Sequence, residues 1–558
     1  MRTTTFLAFA ACALLTIGTG ACITPEHYDE IHRGGRDEAR ISKNEAIASN
    51  IKHHIEFLAD DLLEGRLPGT RGGALSARYL ATQAQLIGLK PGAGDGSYFQ
   101  PVPLVGIETN AGSTVQFDAP DRPGVALQYL EEFVGADETL NDKTRFEGQV
   151  VFVGYGIVAP EQKWNDYADV DVRGKVVLIL ANEPGRNDPN KNDLFGGKAL
   201  TYYGRWTYKF EEAARRGAAG AFLIHTDESA GYNWQVVRNS WGRERPYAQP
   251  GSGAALQAAS WITERVATET LARAGLDIND LRARAEVRGF KPVATNLSAT
   301  INWTARMRPI PTANVIAMLP GSDPKLASEY IVYSAHYDHL GFAPPENGDA
   351  ICNGAVDNAT GCGAVLEIAR LFATSAPPKR SILFAWVTAE EGGLRGSEFF
   401  ANHPTVPIGK IIANINLDGL PPSGDPMEVS PLGYKRSTLR ALVEKTADEM
   451  NLSVIDDRNP AQGSFFRSDH FSFAKVGVPA INVNAGYQYR NKPEGWGRER
   501  EELYRKNSYH RPSDNYDPSW DCVAPARLAE YSYRLGRTLA FSAEYPEYLK
   551  GDEFARKR

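Results

Sequence analysis

Cysteine is scarce in this chain, five in 558 residues, and beyond Cys22 only Cys352, Cys362 and Cys522 remain. That excludes a small scaffold stapled by disulfides, whatever the compartment; at most one bridge forms, and Cys352 with Cys362 is the shortest candidate. A long basic run is also lacking: 61 Lys and Arg stand against 68 Asp and Glu, a net charge of −7. The electrostatic footprint of nucleic-acid binding is therefore missing, and no nucleic-acid partner is expected. Past the first two dozen residues no apolar stretch approaches the roughly 20 residues that cross a bilayer, so no internal membrane span is expected. There is no internal repeat and no low-complexity tract, and the 52 Gly and 34 Pro are scattered, which removes collagen-like and wholly disordered readings. What is present is a globular composition, 42% hydrophobic and 23% charged, long enough for two or three domains at roughly 100–200 residues each.

The N-terminus carries Arg2, an apolar run from Phe6 to Ile17, and small residues before Cys22. This is the layout of an export signal over residues 1–21. Gly20-Ala21-Cys22 also resembles a bacterial lipobox, with Thr19 where Leu is usual. Cys22 is then either lipidated, giving the chain its one contact with a membrane, or an ordinary residue of a soluble exported protein. Periplasm, outer membrane or secretion are the expected locations. Residues 22–44 are polar and read as a tether.

Farther on, Ile51 to Leu63 and Leu75 to Ile87 show helical spacing around a turn-rich break. From about 106 to 300 the texture is mixed, with strands at Val150–Val153, Val176–Leu180 and Ala221–Ile224 and a helix at Phe210–Arg216. From about 312 strands and helices alternate: strands at Tyr330–Ala335, Ser381–Thr388, Ile411–Leu417 and Ala480–Val483, and helices at Cys362–Ala373, Ser437–Asn451 and Pro525–Ser542. Alternation of this kind predicts an α/β fold, a mixed and largely parallel sheet with helices on both faces. The domains expected are 45–110 with 300–545 as one discontinuous unit, and 111–299 as an inserted smaller α/β domain.

In open α/β sheets, sites form at the carboxyl ends of strands. After Tyr330–Ala335 come His336, Asp338 and His339; after Ser381–Thr388 come Glu390 and Glu391; after Ile411–Leu417 comes Asp418. Asp357 precedes a helix, and His510 lies far downstream in Tyr509-His510-Arg511-Pro512-Ser513-Asp514. Each alone has a plain reading: a satisfied core histidine, a helix cap, a charged strand end. Together they place several acids and imidazoles at successive ends of apolar strands, where uncompensated charge is costly. A pair of divalent ions removes that cost, since imidazole nitrogen and carboxylate oxygen suit zinc and a carboxylate can bridge two ions.

Through Ser334 to Gly341, Asn353 to Asn358, Thr388-Ala389-Glu390-Glu391-Gly392, Asn416-Leu417-Asp418-Gly419 and Tyr509-His510, the sequence resembles the co-catalytic di-zinc exopeptidases, which include secreted bacterial aminopeptidases, glutamate carboxypeptidases and the transferrin receptor. The resemblance also takes in Phe57 to Asp61 and Gly65-Arg66. It implies two zinc ions per chain: His336 and Asp418 on one, Glu391 and His510 on the other, Asp357 bridging. Glu390 would be the general base, and Asp338 would hydrogen-bond the free ring nitrogen of His336 and fix its tautomer.

The middle domain resembles a protease-associated domain through Tyr155-Gly156-Ile157, Asp171 to Val177 and Ala213 to Gly220. Asp469 and His470 resemble a loop near the family's substrate pocket, the alternative being a surface turn. Cys352 and Cys362 flank Asp357, either bridged to stiffen its loop or packed as thiols. The activity implied is an exported metallo-aminopeptidase acting on peptides. A carboxypeptidase or dipeptidase on the same fold would need a cationic pocket, for which Arg395 or Arg467 are the available residues; a non-catalytic binding protein like the transferrin receptor is the reading of another class.

Overall fold

The computed structural model describes residues 44–124, 126–186, 194–249 and 254–555. The chain divides into Met1–Ala46, of which residues 44–46 are described and helical, and a compact unit Ile47–Arg558. The expected export signal, Cys22 and nearly all of the tether lie outside the described residues.

The unit is organised around β1, Val293–Leu319, a strand of 27 residues. Between Thr295 and Trp303 its odd-numbered residues are buried and the even ones face outward, the two-residue period of a strand with one covered face. The first half of β1 pairs antiparallel with Lys143–Phe152 and Thr114–Asp118, and the second half with Phe99–Thr109. The 299/300 boundary expected from sequence therefore falls inside one strand, and the two parts share it. Pro309 and Pro311 hide this strand from sequence reading, because proline argues against a central strand. From 305 to 314 β1 is paired on one side only, so the missing N–H groups have an open edge to face.

The sheet that follows consists of β2 (Tyr330–His336), β3 (Ser381–Val387), β4 (Ile411–Leu417), β5 (Glu428–Leu432) and β6 (Ala480–Ala485). Strands β6, β4, β2 and β3 are adjacent and parallel, with β5 antiparallel beside β6 and the end of β1 antiparallel beside β3. Every residue of β3 and β4 is buried, as expected of parallel strands covered on both faces. Helices α1 (Arg71–Ile87), α2 (Thr360–Ala373) and α3 (Val523–Phe541) contribute to the core packed on this sheet. This parallel arrangement brings the carboxyl ends of β2, β3, β4 and β6 to one edge.

A second sheet holds Lys143–Phe152, Val176–Leu180, Gly220–His225 and Ala258–Thr263 in parallel, with Phe133–Ala136 antiparallel at its edge. Two details differ from the sequence reading. The first helix ends at residue 58 and gives way to a turn, Asp61–Arg66, whose Leu62 N–H is accepted by Asp60 at 2.8 Å. Helix α1 starts at Arg71, where Thr70 Oγ1 accepts the Gly73 N–H at 3.3 Å, earlier than the hydrophobic spacing begins. The highly charged helix Trp496–Asn507 has no apolar stripe to betray it.

Candidate metal centre

The ends of β2, β3 and β4 and two loops deliver the donors. His336 is the last residue of β2 and Asp418 the first after β4, while Asp357 lies in the loop before α2. The two oxygens of Asp357 face opposite ways. Oδ1 is 3.2 Å from His336 Nε2 and Oδ2 is 3.3 Å from His510 Nε2. His336 Nε2 is also 3.2 Å from Asp418 Oδ1, and His510 Nε2 is 3.1 Å from Glu391 Oε2. All five sequence-predicted ligands thus meet in two groups joined by one carboxylate. Glu390 lies beside the first group, its Oε2 4.0 Å from His336 Nε2.

Adjacent side chains of an extended segment point to opposite faces, so Glu390 and Glu391 share a site only because the chain turns there. The turn begins at Ala389 with φ +55° and is closed by the N–H groups of Gly393 and Leu394, both 2.8 Å from Glu390 O. Asp338 behaves differently from expectation. Its Oδ1 stands 3.9 Å from His336 Nδ1, beyond hydrogen-bond reach, and accepts the Glu390 N–H at 3.1 Å; the ring nitrogen meets the Asp338 carbonyl at 3.2 Å instead. The aspartate anchors the Glu390 turn with its side chain and His336 with its backbone.

The supporting residues were not singled out from sequence. Asp514 accepts the N–H groups of Val356 at 3.0 Å and Asp357 at 3.1 Å, which fixes the bridging loop. Ser468 Oγ donates to Asp418 Oδ2 at 2.5 Å. Arg66, 1% exposed, donates to Tyr337 O at 2.8 Å, to Gly354 O at 3.0 Å, and to Leu58 O and Asn353 O. One guanidinium therefore ties the N-terminal helix to both ligand-bearing loops. The only sequence signal for these residues is their place inside the motifs, Gly65-Arg66 and Ser513-Asp514 among them.

The acids and imidazoles of the cluster shift one another. Burial would lower His336 and His510, yet their carboxylate neighbours raise His336 well above its ordinary value and His510 to about 10. Against burial, His336 and His510 hold Asp357 below the carboxylate range, and His510 with His339 does the same for Glu391. Burial, with Glu391 and Asp418 adding to it, pushes Glu390 well above that range. Burial raises Asp338 to about 7. Glu391 Oε1 is buried, 2.7 Å from His339 Nδ1. Imidazole nitrogens and carboxylate oxygens held this way fit divalent ions of the zinc type.

Asp469 and His470 are both fully buried, which excludes the surface turn. Cys352 and Cys362 are free, so the bridge does not form; Cys362 Sγ packs 3.1 Å from His336 O. Arg395 is engaged by Glu398 at 3.5 Å and by Pro246 O at 3.3 Å. Arg467 lines a cleft of about 720 Å³ that also exposes Asp357, Glu390 and Asp418.

Residues 314–531, which hold all of these ligands, match the model of peptidase family M28. The likeness to peptidase family M28 lies in this part of the chain. Leucine aminopeptidase 2 of Trichophyton rubrum is 29% identical over 276 residues, covering 46% of this chain and 49% of its own. Aminopeptidase YwaD of Bacillus subtilis (strain 168) is 28% identical over 189 residues, 34% of this chain and 36% of its own. The chain thus spans about half the length, or less, of these curated relatives. Among solved structures, an aminopeptidase from Aneurinibacillus sp. strain AM-1 covers 89% of this chain and 95% of its own at 20% identity, with a TM-score of 0.48. The M28 region begins near the end of β1 and ends within α3, so it contains the parallel sheet and leaves the second sheet outside.

Proposed function

We propose that this chain is an exported aminopeptidase that removes N-terminal residues from peptides with two zinc ions. The observation that carries this is the bridging geometry of Asp357, with one oxygen near each imidazole and a further carboxylate beside each, Asp418 and Glu391. Three carboxylates and two imidazoles exceed what one tetrahedral ion uses. His336, Asp418 and Asp357 would hold one ion, and Glu391, His510 and Asp357 the other. Bound there, the ions supply Lewis acidity toward a peptide carbonyl and acidify water. Glu390 is the residue placed to move protons: its carboxylate takes one from the attacking water and gives it to the departing amine. Asp338 keeps that carboxylate in place through the Glu390 N–H. The relatives named as aminopeptidases support release from the amino end, and the Arg2, Phe6–Ile17 and Cys22 pattern supports export, with a lipid on Cys22 as the membrane link. The lobe bearing the second sheet is read as a protease-associated domain.

The test is hydrolysis of a leucine anilide and of free and N-acetylated peptides by the purified full chain, with metal analysis before and after chelation. Two zinc ions per chain, loss of activity on chelation and no cleavage of the acetylated peptide are expected. Chelator-insensitive hydrolysis, or release of residues from the carboxyl end, would reject the reading.

A further inference from the structure

Beside the five donors stands a sixth group that they leave unused. His339 is fully buried, and its Nδ1 lies 2.7 Å from Glu391 Oε1. That is the oxygen His510 does not face, since His510 Nε2 approaches Oε2 at 3.1 Å. The imidazole is wedged in place. A side-chain carbon on Gly354 would meet its ring atoms at 2.6 and 2.7 Å, the His510 ring stands edge-on to it with centroids 5.9 Å apart, and its backbone N–H reaches Arg66 O at 3.4 Å. His339, Asp357 and Glu391 present ligand-type atoms within 4.8 Å of one another.

A core histidine satisfied by its surroundings would have a partner on each nitrogen. Among the described residues Nε2 of His339 has no hydrogen-bond partner, and Nδ1 meets only Glu391 Oε1, at 2.7 Å. A buried polar group left unspent in this way costs stability and calls for a function. The nearest group is a carboxylate whose two oxygens are treated differently, Oε2 turned toward His510 and Oε1 toward His339.

We propose that His339 is a positioning residue for Glu391: it engages Oε1 so that Oε2 is presented to the second metal ion, and it thereby sets the occupancy of that site but not of the first. The first site has its own support, since Ser468 restrains Asp418 on the far side of Asp357. The inference rests on the two-zinc reading above. Loss of a residue that steadies a metal ligand typically costs about 10–100-fold in affinity, which is the size expected here.

The experiment titrates zinc into the metal-free full chain against a competing chelator, for the wild type, His339→Ala and His339→Asn, with absorption spectra of the cobalt-substituted proteins. His339→Ala is expected to weaken the second binding step about 10–100-fold, leave the first unchanged and shift the cobalt band of the second ion. His339→Asn, whose amide nitrogen can occupy the place of Nδ1, should restore part of both. Two wild-type-like binding steps and an unaltered cobalt spectrum in His339→Ala would overturn the proposal, and so would equal loss of both ions. A wild type that binds one ion or none removes the two-zinc reading and this inference with it, whereas two ions in the wild type with an unaffected variant removes the inference alone. Should His339→Ala fail to fold, His339→Asn carries the same comparison.

Discussion

Two histidines end parallel strands in this molecule, and each is followed two residues later by an aspartate: His336 and Asp338 after β2, and His225 and Asp227 after Gly220–His225. Locally the two look alike. His225 Nε2 faces Tyr232 O at 3.0 Å, its ring sits among Tyr232, Trp234 and Trp261, and burial lowers its pKa. His336 is raised instead, because the ends of β3 and β4 bring Glu390 and Asp418 to it and the loop before α2 brings Asp357. The other strand ends of the second sheet send their polar groups elsewhere. Glu183, just past Val176–Leu180, accepts Thr201 N–H at 2.8 Å and the Thr201 hydroxyl. Outside that sheet, after the short strand Trp164–Asn165, Asp166 likewise accepts Ile157 N–H at 3.0 Å and Trp164 Nε1–H at 2.7 Å. A strand-end histidine becomes part of a reactive centre only when adjacent strand ends converge on it with charges not already committed.

The largest expected effect tests the convergent side. Glu390→Gln should lower turnover by about 10²–10⁴-fold, the range for general acid–base catalysis, while metal analysis still finds the wild-type content; loss of metal instead would make Glu390 a ligand and dissolve the distinction between base and ligands. Next, Asp514→Asn removes one of the two carboxylate oxygens that hold the bridging loop. Metal affinity, read by chelator competition, should fall by about 10–100-fold, and no change would mean the loop holds itself.

The other side of the comparison is tested by His225→Phe. It leaves the Tyr232 carbonyl without its partner and should cost about 1–2 kcal/mol in urea unfolding, with metal content and turnover unchanged; a drop in metal content would show that the two histidines are coupled. The smallest effect is in pH. His225 has a folded-state pKa below its unfolded value, so the unfolded chain binds the extra proton and stability declines as pH falls through about 6.5, by at most about 1.4 kcal/mol per pH unit. His225→Phe should remove that part of the slope, and an identical slope in the variant would assign it to other groups.

The two lobes also meet mechanically. Leu200 N–H reaches Pro460 O at 3.0 Å, Tyr202 stands edge-on to Phe471 at 4.8 Å, and Lys475 joins Glu211 at 2.9 Å to Glu398 at 3.3 Å. The segment they brace lines the cleft and ends at Ser468, the partner of Asp418. Substitutions at this contact are thus expected to reach the metal centre through Asp418, unlike those around His225.

Much of the parallel core was legible along the chain. Strands β2, β3, β4 and β6 were anticipated to within one or two residues, because runs buried on both faces are written as unbroken apolar stretches bounded by polar turns. The residues His336, Asp357, Glu390, Glu391, Asp418 and His510, which the structure brings together, stood out as charge gathered around the ends of such runs, costly unless a cation or an opposite charge meets it; their division into five ligands and a base was what the family resemblance implied. What the residues alone could not supply depends on partners distant in sequence. The strand β1 is concealed by its prolines until its one-sided pairing is known. The free thiols of Cys352 and Cys362, the buried place of Asp469 and His470, and the exchange by which Asp338 holds Glu390 are decided by packing. Arg66 reaches carbonyls across 271 to 288 residues of sequence, and His225 differs from His336 only in what other strands bring beside it. Local sequence determines which residue types stand at each strand end, through periodicity and turn chemistry, but only the tertiary arrangement decides which of those groups are left unpaired and face one another, because that depends on which strands are neighbours.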